Sequence, residues 1–140
     1  MLRSIQTFEQ HLIEDDPVRP HIPYQDRVAP GRSVVVLEQS GTPAAVLCLA
    51  LCSQVPTTEQ ELYDYADTRG DVLVAYTVWS YVRGAGREII NLAREAARDE
   101  HCARLVTLSP LTEMAERFHI RNGARFVAKY EHCQNFEYDI

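Results

Sequence analysis

The longest ordered pattern of hydrophobic positions lies in residues 72–97. Residues 72–79, VLVAYTVW, are apolar almost without interruption and rich in β-branched and aromatic side chains. This composition is typical of a strand buried on both faces of a sheet. The following residues instead repeat apolar side chains at helical spacing, at Ile89, Ile90, Ala93, Ala96 and Ala97. We therefore predict a buried strand, a turn at residues 83–87 and a helix.

Shorter patterns predict the elements of the N-terminal half. Apolar residues at helical spacing predict an amphipathic helix within residues 2–13, and four prolines predict a long loop without regular structure at residues 15–32. Residues 33–38 and 44–51 are apolar runs separated by a Ser-Gly-Thr turn, which predicts a hairpin. Residues 54–68 are polar, and the pattern leaves open one or two turns of helix or an exposed connection.

The C-terminal half alternates strand and helix patterns. Residues 104–108, 125–132 and 135–140 are predicted strands, and residues 111–122 are a predicted helix that ends at Asn-Gly. The buried face of this helix is predicted from Leu111, Met114, Ala115 and Phe118. This order of elements indicates an α/β or α+β fold, in which helices flank a mixed central sheet, with all 140 residues in one domain.

Charge and cysteine usage narrow the classes of function. The net charge of −6 argues against binding of nucleic acid or of acidic membranes, and no apolar run reaches the roughly 18 residues of a membrane span. We therefore expect a cytoplasmic protein. The four cysteines form no CxxC pair, so we expect reduced thiols and no metal site. Cys48 and Cys52 lie four apart in a predicted strand and are expected to face the same side of the sheet in the core.

The turn at residues 83–87, Arg-Gly-Ala-Gly-Arg, combines features of a phosphate site. No Ser, Thr, Asp or Asn stands where it would cap the first helical amides, so those amides are expected to be free. The helix dipole and two guanidinium groups add positive potential at the same place. The alternative is structural, with glycines for a tight turn and arginines for solubility.

This turn also resembles a known motif. Arg83, Gly84, Ala85 and Gly86 resemble the acyl-CoA pyrophosphate loop of the GNAT superfamily, [QR]-x-x-G-x-[GA], which joins the fourth strand to a long helix in that fold. The resemblance implies a GNAT-like fold that binds a coenzyme A thioester. The last motif position holds Glu88 instead of Gly or Ala, and a carboxylate there would repel a pyrophosphate if it pointed inward.

A second resemblance is to the catalytic domain of malonyl-CoA decarboxylase. Residues 108–110 are Leu-Ser-Pro and residues 118–124 are Phe-His-Ile-Arg-Asn-Gly-Ala, which resemble that family's LSP segment and its FHxxNGA motif. The family's helical N-terminal domain has no counterpart, and the usual long insertion between the serine and the histidine is only a few residues here.

The second resemblance implies catalytic roles for His119 and Ser109. A neutral histidine and a hydroxyl in a dry pocket can stabilise an enolate oxygen and protonate its carbon. The alternatives are that His119 merely borders the core and that Ser109 caps the helix after Pro110. If both residues lay on one helix, ten residues would separate them by about 15 Å. We therefore expect them to act on one substrate only if the chain bends after Ser109 or if they contact different parts of the acyl-CoA, and we expect no direct hydrogen bond between them.

The GNAT resemblance also implies a cofactor-binding set. It comprises the end of the strand, which offers backbone groups to the pantetheine arm, and the loop: Val78, Trp79, Ser80, Arg83, Gly84, Ala85, Gly86 and Arg87. Trp79 can alternatively be a core residue.

Three functions stay open at this point. The first is decarboxylation of malonyl-CoA or a related acyl-CoA. The second is N- or O-acetyl transfer from acetyl-CoA, although His119 stands where acetyltransferases often have a tyrosine, and no acidic residue stands out as a base. The third is a non-catalytic acyl-CoA-binding module. Because GNAT-fold proteins are often dimers, a homodimer is a further expectation.

Overall fold

We describe the protein from a computed structural model that covers residues 1–140. Eight strands form one mixed sheet in the order β1-β2-β3-β4-β5-β8-β6, and β7 pairs with β8. The strands are β1 (Leu2–Ser4), β2 (Arg32–Gln39), β3 (Thr42–Cys52), β4 (Val72–Ser80), β5 (Arg104–Thr107), β6 (Ser109–Pro110), β7 (Arg125–Lys129) and β8 (Cys133–Tyr138). Of the strand pairs, β4 and β5 are parallel and the others are antiparallel. The mixed sheet flanked by helices confirms the predicted fold class.

Five helical segments accompany the sheet. They are a 3₁₀ helix (Thr7–Asp15), α1 (Tyr24–Arg27), α2 (Glu59–Asp64), α3 (Ala85–Asp99) and α4 (Glu113–Arg121). Thr58 caps α2 by accepting a hydrogen bond from the Glu61 amide, which resolves residues 54–68 in favour of a short helix. None of the helices is both long and apolar enough to cross a lipid bilayer.

Both faces of the sheet are covered, so β3 and β4 are buried on both sides. On one face, α3 packs Ile89, Ile90 and Ala93 against apolar side chains of the sheet. Each large aliphatic side chain that is fully buried in this way contributes about 1.5–3 kcal/mol. On the other face, the 3₁₀ helix and the proline-rich segment lie over the residues that include Cys48 and Cys52. Both cysteines are buried and unpaired on one face, as predicted.

The N-terminal prediction is wrong in part. Leu2–Ser4 forms a strand instead of the start of a helix, because its backbone pairs with β2 from Leu37 to Val35. A capping box between Gln6 and Glu9 then begins the 3₁₀ helix. Apolar spacing alone does not reveal a pairing partner more than thirty residues away.

The proline-rich loop is also more ordered than predicted. Pro23 is the N-cap of the single-turn α1, so prolines here start a helix as well as prevent one. Residues 16–22, which we call the strap, lie against the middle of β4, where Asp16 accepts from the Thr77 hydroxyl and Arg19 donates to the Tyr76 carbonyl. The strap is therefore part of the surroundings of the cavity described next.

Candidate active site

The main cavity lies where β4 and β5 separate. The two strands pair from Val72 opposite Arg104 to Ala75 opposite Thr107, and no strand pairs with that edge of β4 farther along. On its other edge, β4 stays paired with β3 as far as Ser80. The gap therefore exposes backbone groups of β4 to a cavity of about 690 Å³.

A bulge in β4 shapes this wall. The register between β3 and β4 shifts at Tyr76, so that Cys48 opposes Thr77 while Leu49 opposes Ala75. The extra residue reverses the alternation of side chains, as bulges do. Tyr76 and Trp79 consequently pack on one face of the sheet, while Val78 packs on the other.

The predicted strand-end residues all lie on the cavity. Val78, Trp79 and Ser80 line it, and Trp79 belongs to the core at the same time. Trp79 donates a hydrogen bond from Nε1 to the Tyr81 hydroxyl at 2.9 Å, and Tyr81 donates to Asp15 at 2.7 Å. The two roles considered for Trp79, core residue and cavity wall, are therefore compatible.

The predicted phosphate loop forms the start of α3. Gly84 is the N-cap with φ +86°, a left-handed conformation that favours glycine, and no side chain caps the helix. Ala85 N donates to Val82 O at 3.1 Å, whereas the amides of Gly86 and Arg87 have no partner. Of the loop residues, only Gly86 lines the cavity. The loop thus presents two free amides next to the mouth of the cavity.

Charge around this helix start is positive. Arg83 and Arg87 are exposed and take part in no ion pair. Glu88, the residue that departs from the motif, accepts a hydrogen bond from Gln39 at 2.7 Å and is exposed. The carboxylate is therefore engaged with the end of β2.

His119 is enclosed by aromatic rings. It stacks on Phe136 at 5.4 Å between ring centroids and meets Phe118 and Tyr138 edge-on at 5.2 and 5.8 Å. Its Nδ1 is 2.7 Å from the Tyr138 hydroxyl. This hydroxyl is buried and has no other partner, so it must donate to avoid an unsatisfied proton. We therefore assign the tautomer that accepts at Nδ1 and carries its proton at Nε2.

The remaining nitrogen of His119 is available to a ligand. Nε2 takes part in no hydrogen bond and is not one of the two fully enclosed unpaired polar atoms, Arg32 Nε and Asn135 Oδ1. Because His119 lines the cavity, its Nε2–H faces that space. Burial lowers the pKa of His119 to about 4, so the ring is neutral at physiological pH.

This burial predicts a pH dependence of stability. In the unfolded chain a histidine titrates near 6.5, whereas in the folded protein His119 does so near 4. Between these values the unfolded state binds the extra proton, so stability falls as the pH is lowered from about 6.5 to 4. The stability lost over this whole pH range is about 3 kcal/mol. Urea unfolding of the wild type and of His119→Gln at pH 7 and pH 4.5 gives the free energy of unfolding. This free energy should decrease less on acidification in His119→Gln than in the wild type. Equal losses would contradict the burial-induced shift.

Ser109 lies on the same cavity. It is the first residue of β6, where it is buried, and its hydroxyl is 2.8 Å from the Thr107 hydroxyl. Thr107 Oγ1 in turn accepts from the Phe136 amide at 3.0 Å, which fixes its position. Ser109 does not cap the following helix, because Thr112 does, by accepting from the Ala115 amide at 3.2 Å.

The bend between Ser109 and α4 resolves the distance problem. The chain forms β6, turns at residues 111–112 and only then begins α4, so Ser109 and His119 are not ten residues apart on one helix. Both line one cavity, and no hydrogen bond joins them directly. The chain therefore bends after Ser109, which was one of the two conditions for a shared substrate.

The predicted buried face of α4 is wrong in part. Met114 is 82% exposed and Leu111, which precedes the helix, is exposed too. Met114, Ala115 and Phe118 line the cavity, so this side of α4 faces an open space instead of a packed core. The apolar stripe indicated burial, but what it covers is a ligand-sized cavity.

Tyr138, Thr107 and Asp16 were missed by the sequence prediction. Tyr138 orients His119 and Thr107 orients Ser109. In the sequence, Tyr138 and Thr107 are indistinguishable from ordinary strand residues. Asp16 accepts from the Thr77 hydroxyl at 3.0 Å and from two strap amides, which places Pro17 and Val18 on the cavity. An aspartate before a proline is a common turn signal, and nothing local connects it with β4.

Comparison with known proteins identifies the fold. No protein-family model and no curated protein matches the sequence. Among solved structures, the GNAT-like decarboxylase GphF in complex with isobutyryl-CoA is 15% identical, with a TM-score of 0.73 over 91% of this chain and 87% of that one. A GNAT-family acetyltransferase from Listeria monocytogenes is 10% identical, with a TM-score of 0.70 over 100% of this chain and 94% of that one. Malonyl-CoA decarboxylase from Cupriavidus metallidurans is 15% identical, with a TM-score of 0.58 over 86% of this chain but only 33% of that one. The chain therefore has the GNAT fold, as the sequence resemblance implied.

Proposed function

We propose that the protein binds an acyl-CoA thioester and decarboxylates malonyl-CoA or a related 2-carboxyacyl-CoA to the shorter thioester. The observation that carries this proposal is that two polar groups lie on one apolar cavity. They are Nε2–H of neutral His119 and the hydroxyl of Ser109, which can donate to a ligand while it accepts a hydrogen bond from Thr107. The likeness to a GNAT-like decarboxylase and to a malonyl-CoA decarboxylase supports it.

The start of α3 is the proposed seat of the coenzyme A pyrophosphate. The free amides of Gly86 and Arg87, the helix dipole and the two exposed arginines favour a dianionic group there. From this end the pantetheine arm would run along the unpaired edge of β4, where an extended amide chain can bond to backbone groups in the manner of an added strand. The thioester then lies between β4 and α4, next to Ser109 and His119.

The proposed reaction uses the side chains of Ser109 and His119 together with solvent water. The bond between Cα and the carboxylate breaks, carbon dioxide leaves, and the electron pair passes into the thioester as an enolate. Ser109 donates a hydrogen bond to the enolate oxygen, and His119 gives the Nε2 proton to Cα. A thioester enolate is a stronger base than imidazolate, so a neutral histidine can act as the acid, and it regains its proton from water. One proton is consumed for each carbon dioxide released.

The loop prediction can be tested by binding. Replacing both Arg83 and Arg87 by alanine should weaken coenzyme A binding about tenfold or more, because charge-assisted hydrogen bonds to phosphate contribute about 1.5–3 kcal/mol each. Isothermal titration calorimetry with coenzyme A and with pantetheine, which lacks the phosphates, distinguishes lost phosphate contacts from a general loss of binding. Pantetheine binding should not change. Arg98→Ala, an exposed arginine at the opposite end of α3, is the control. An equal effect of Arg98→Ala would argue for general electrostatics instead of a phosphate seat.

A single assay tests the proposed activity. The purified protein is incubated with malonyl-CoA, and acetyl-CoA and carbon dioxide are followed by mass spectrometry. Formation of both supports decarboxylation. Free coenzyme A that appears only when an amine is added supports acetyl transfer instead, which is the second candidate. Thermal stabilisation by coenzyme A without turnover indicates a binding module.

One observation favours keeping acetyl transfer as the second candidate. The sequence showed no acidic base, but the structure places Glu59 Oε2 2.6 Å from His21 Nε2 at an exposed position. Such a pair can accept a proton from an amine acceptor. Several structural neighbours are acetyltransferases.

A further inference from the structure

A second cavity of about 600 Å³ lies beside the main one. Val18 and Pro110 line both, so the two cavities are neighbours across these side chains. The second cavity is more polar. Its charged and titratable groups come from four places: Arg19 and His21 of the strap, Glu59 of α2, Tyr130, Glu131 and His132 between β7 and β8, and Cys133 at the start of β8. Nothing in the proposed reaction so far uses this space.

Arg19 is the best-defined group of the second cavity. Its side chain is only 4% exposed. Nε donates to Glu59 at 3.1 Å and Nη1 donates to the carbonyl of Tyr76, the bulge residue of β4. Nη2 has no partner and is not fully enclosed, so its N–H groups face the cavity that Arg19 lines. A buried guanidinium with one free edge is a site prepared for an anion.

The position of this edge matches the substrate of the proposed reaction. Tyr76 lines the main cavity and its carbonyl holds Arg19, while Pro110 directly follows Ser109. A thioester carbonyl bonded to Ser109 would therefore direct its acyl group past Pro110 and Val18 towards Arg19. We propose that Nη2 of Arg19 binds the carboxylate of the 2-carboxyacyl group and thereby selects thioesters that carry one. This inference rests on the proposed function.

The partner of Arg19 explains how such a contact is compatible with decarboxylation. A strong ion pair would stabilise the substrate carboxylate and slow the loss of carbon dioxide, since only interactions stronger in the transition state accelerate a reaction. Glu59 Oε1 lies 3.1 Å from Arg19 Nε and offsets part of the guanidinium charge. Arg19 therefore orients the carboxylate by a hydrogen bond, without the full attraction of an isolated cation. Orientation matters because the breaking bond must stand perpendicular to the thioester plane.

The test compares two thioesters that differ by the carboxylate. In a His119→Gln background, which suppresses turnover, calorimetry measures the Kd of malonyl-CoA and of acetyl-CoA. With Arg19 present, malonyl-CoA should bind about tenfold more tightly. Arg19→Met should bring the ratio close to one and leave acetyl-CoA binding unchanged, whereas Arg69→Met, at an exposed arginine outside both cavities, should keep the preference. A preference that persists in Arg19→Met overturns the inference.

A second variant keeps Arg19 and its contact with Tyr76. Glu59→Gln removes the neutralising charge. In the His119→Gln background malonyl-CoA should then bind severalfold more tightly, with acetyl-CoA binding unchanged, and in the otherwise wild-type protein Glu59→Gln should lower kcat. A merely structural role of Arg19 would change neither quantity, and unchanged values overturn the inference. If the His119→Gln protein binds acetyl-CoA and malonyl-CoA equally tightly, only the proposed carboxylate site is wrong. If neither thioester binds, the proposed function and this site are both wrong.

Discussion

Replacing His119 by alanine should lower kcat for malonyl-CoA decarboxylation by about 10²–10⁴-fold. This range is typical for the loss of a positioned general acid, and Nε2–H of His119 is the proposed source of the carbon proton. The KM should change little, because the proposed roles of this group arise in the transition state. Steady-state kinetics, with acetyl-CoA followed by mass spectrometry, measure both quantities.

The control for this variant is another histidine. His11 is exposed in the 3₁₀ helix and lines neither cavity, so His11→Ala should leave kcat unchanged. His119→Ala also strands the Tyr138 hydroxyl, at a cost of about 1–3 kcal/mol, so folding is checked by thermal unfolding. A folded His119→Ala protein with wild-type kcat would remove His119 from the mechanism.

Replacing Asp16 by alanine should destabilise the protein by about 3–5 kcal/mol. Asp16 and Arg27 form an ion pair at 2.7 Å in which both side chains are fully buried. Removing one partner leaves the other charge uncompensated, and this loss is far larger than that of a surface pair. Asp16 also accepts hydrogen bonds from the Thr77 hydroxyl and from the amides of Val18 and Arg19. Urea denaturation gives the free energy of unfolding.

An exposed ion pair is the matched control. Arg117 and Glu113 are paired on the surface of α4, with both side chains more than 70% exposed. Glu113→Ala should cost no more than about 1 kcal/mol. If Asp16→Ala lowers the free energy of unfolding no more than Glu113→Ala does, the buried ion pair does not hold the strap in place. Because Asp16 also places Val18 on both cavities, malonyl-CoA binding should weaken in the folded fraction of Asp16→Ala.

The segment around α3 shows how far local pattern reaches. The continuous apolar run of β4, the glycine turn and the helical repeat of α3 are each encoded within a few residues, and all three are present as predicted. The missing N-cap side chain was equally visible in the sequence, and it leaves the amides of Gly86 and Arg87 free. The hairpin of β2 and β3 was predictable for the same reason, since its turn and its two apolar runs are local.

The elements that were predicted wrongly depend on distant partners. The strand Leu2–Ser4 exists because it pairs with β2, and its own spacing fits a helix equally well. The apolar side of α4 indicated a packed face, but it borders the gap where β4 and β5 separate. That gap results from the bulge at Tyr76 and from the early end of β5. Neither feature has a local sequence signature.

The sequence by itself therefore determined the order of most elements, the phosphate-like loop and the two residues proposed for catalysis. Only the tertiary structure decided that Ser109 and His119 face one cavity, that Tyr138 fixes the tautomer of the histidine, and that the strap brings Arg19 to the neighbouring cavity. The physical reason is the range of the interactions. Propensity, periodicity and capping act over a few residues, whereas the bond from Arg19 to the Tyr76 carbonyl joins positions 57 residues apart. Such a contact exists only after the sheet has formed.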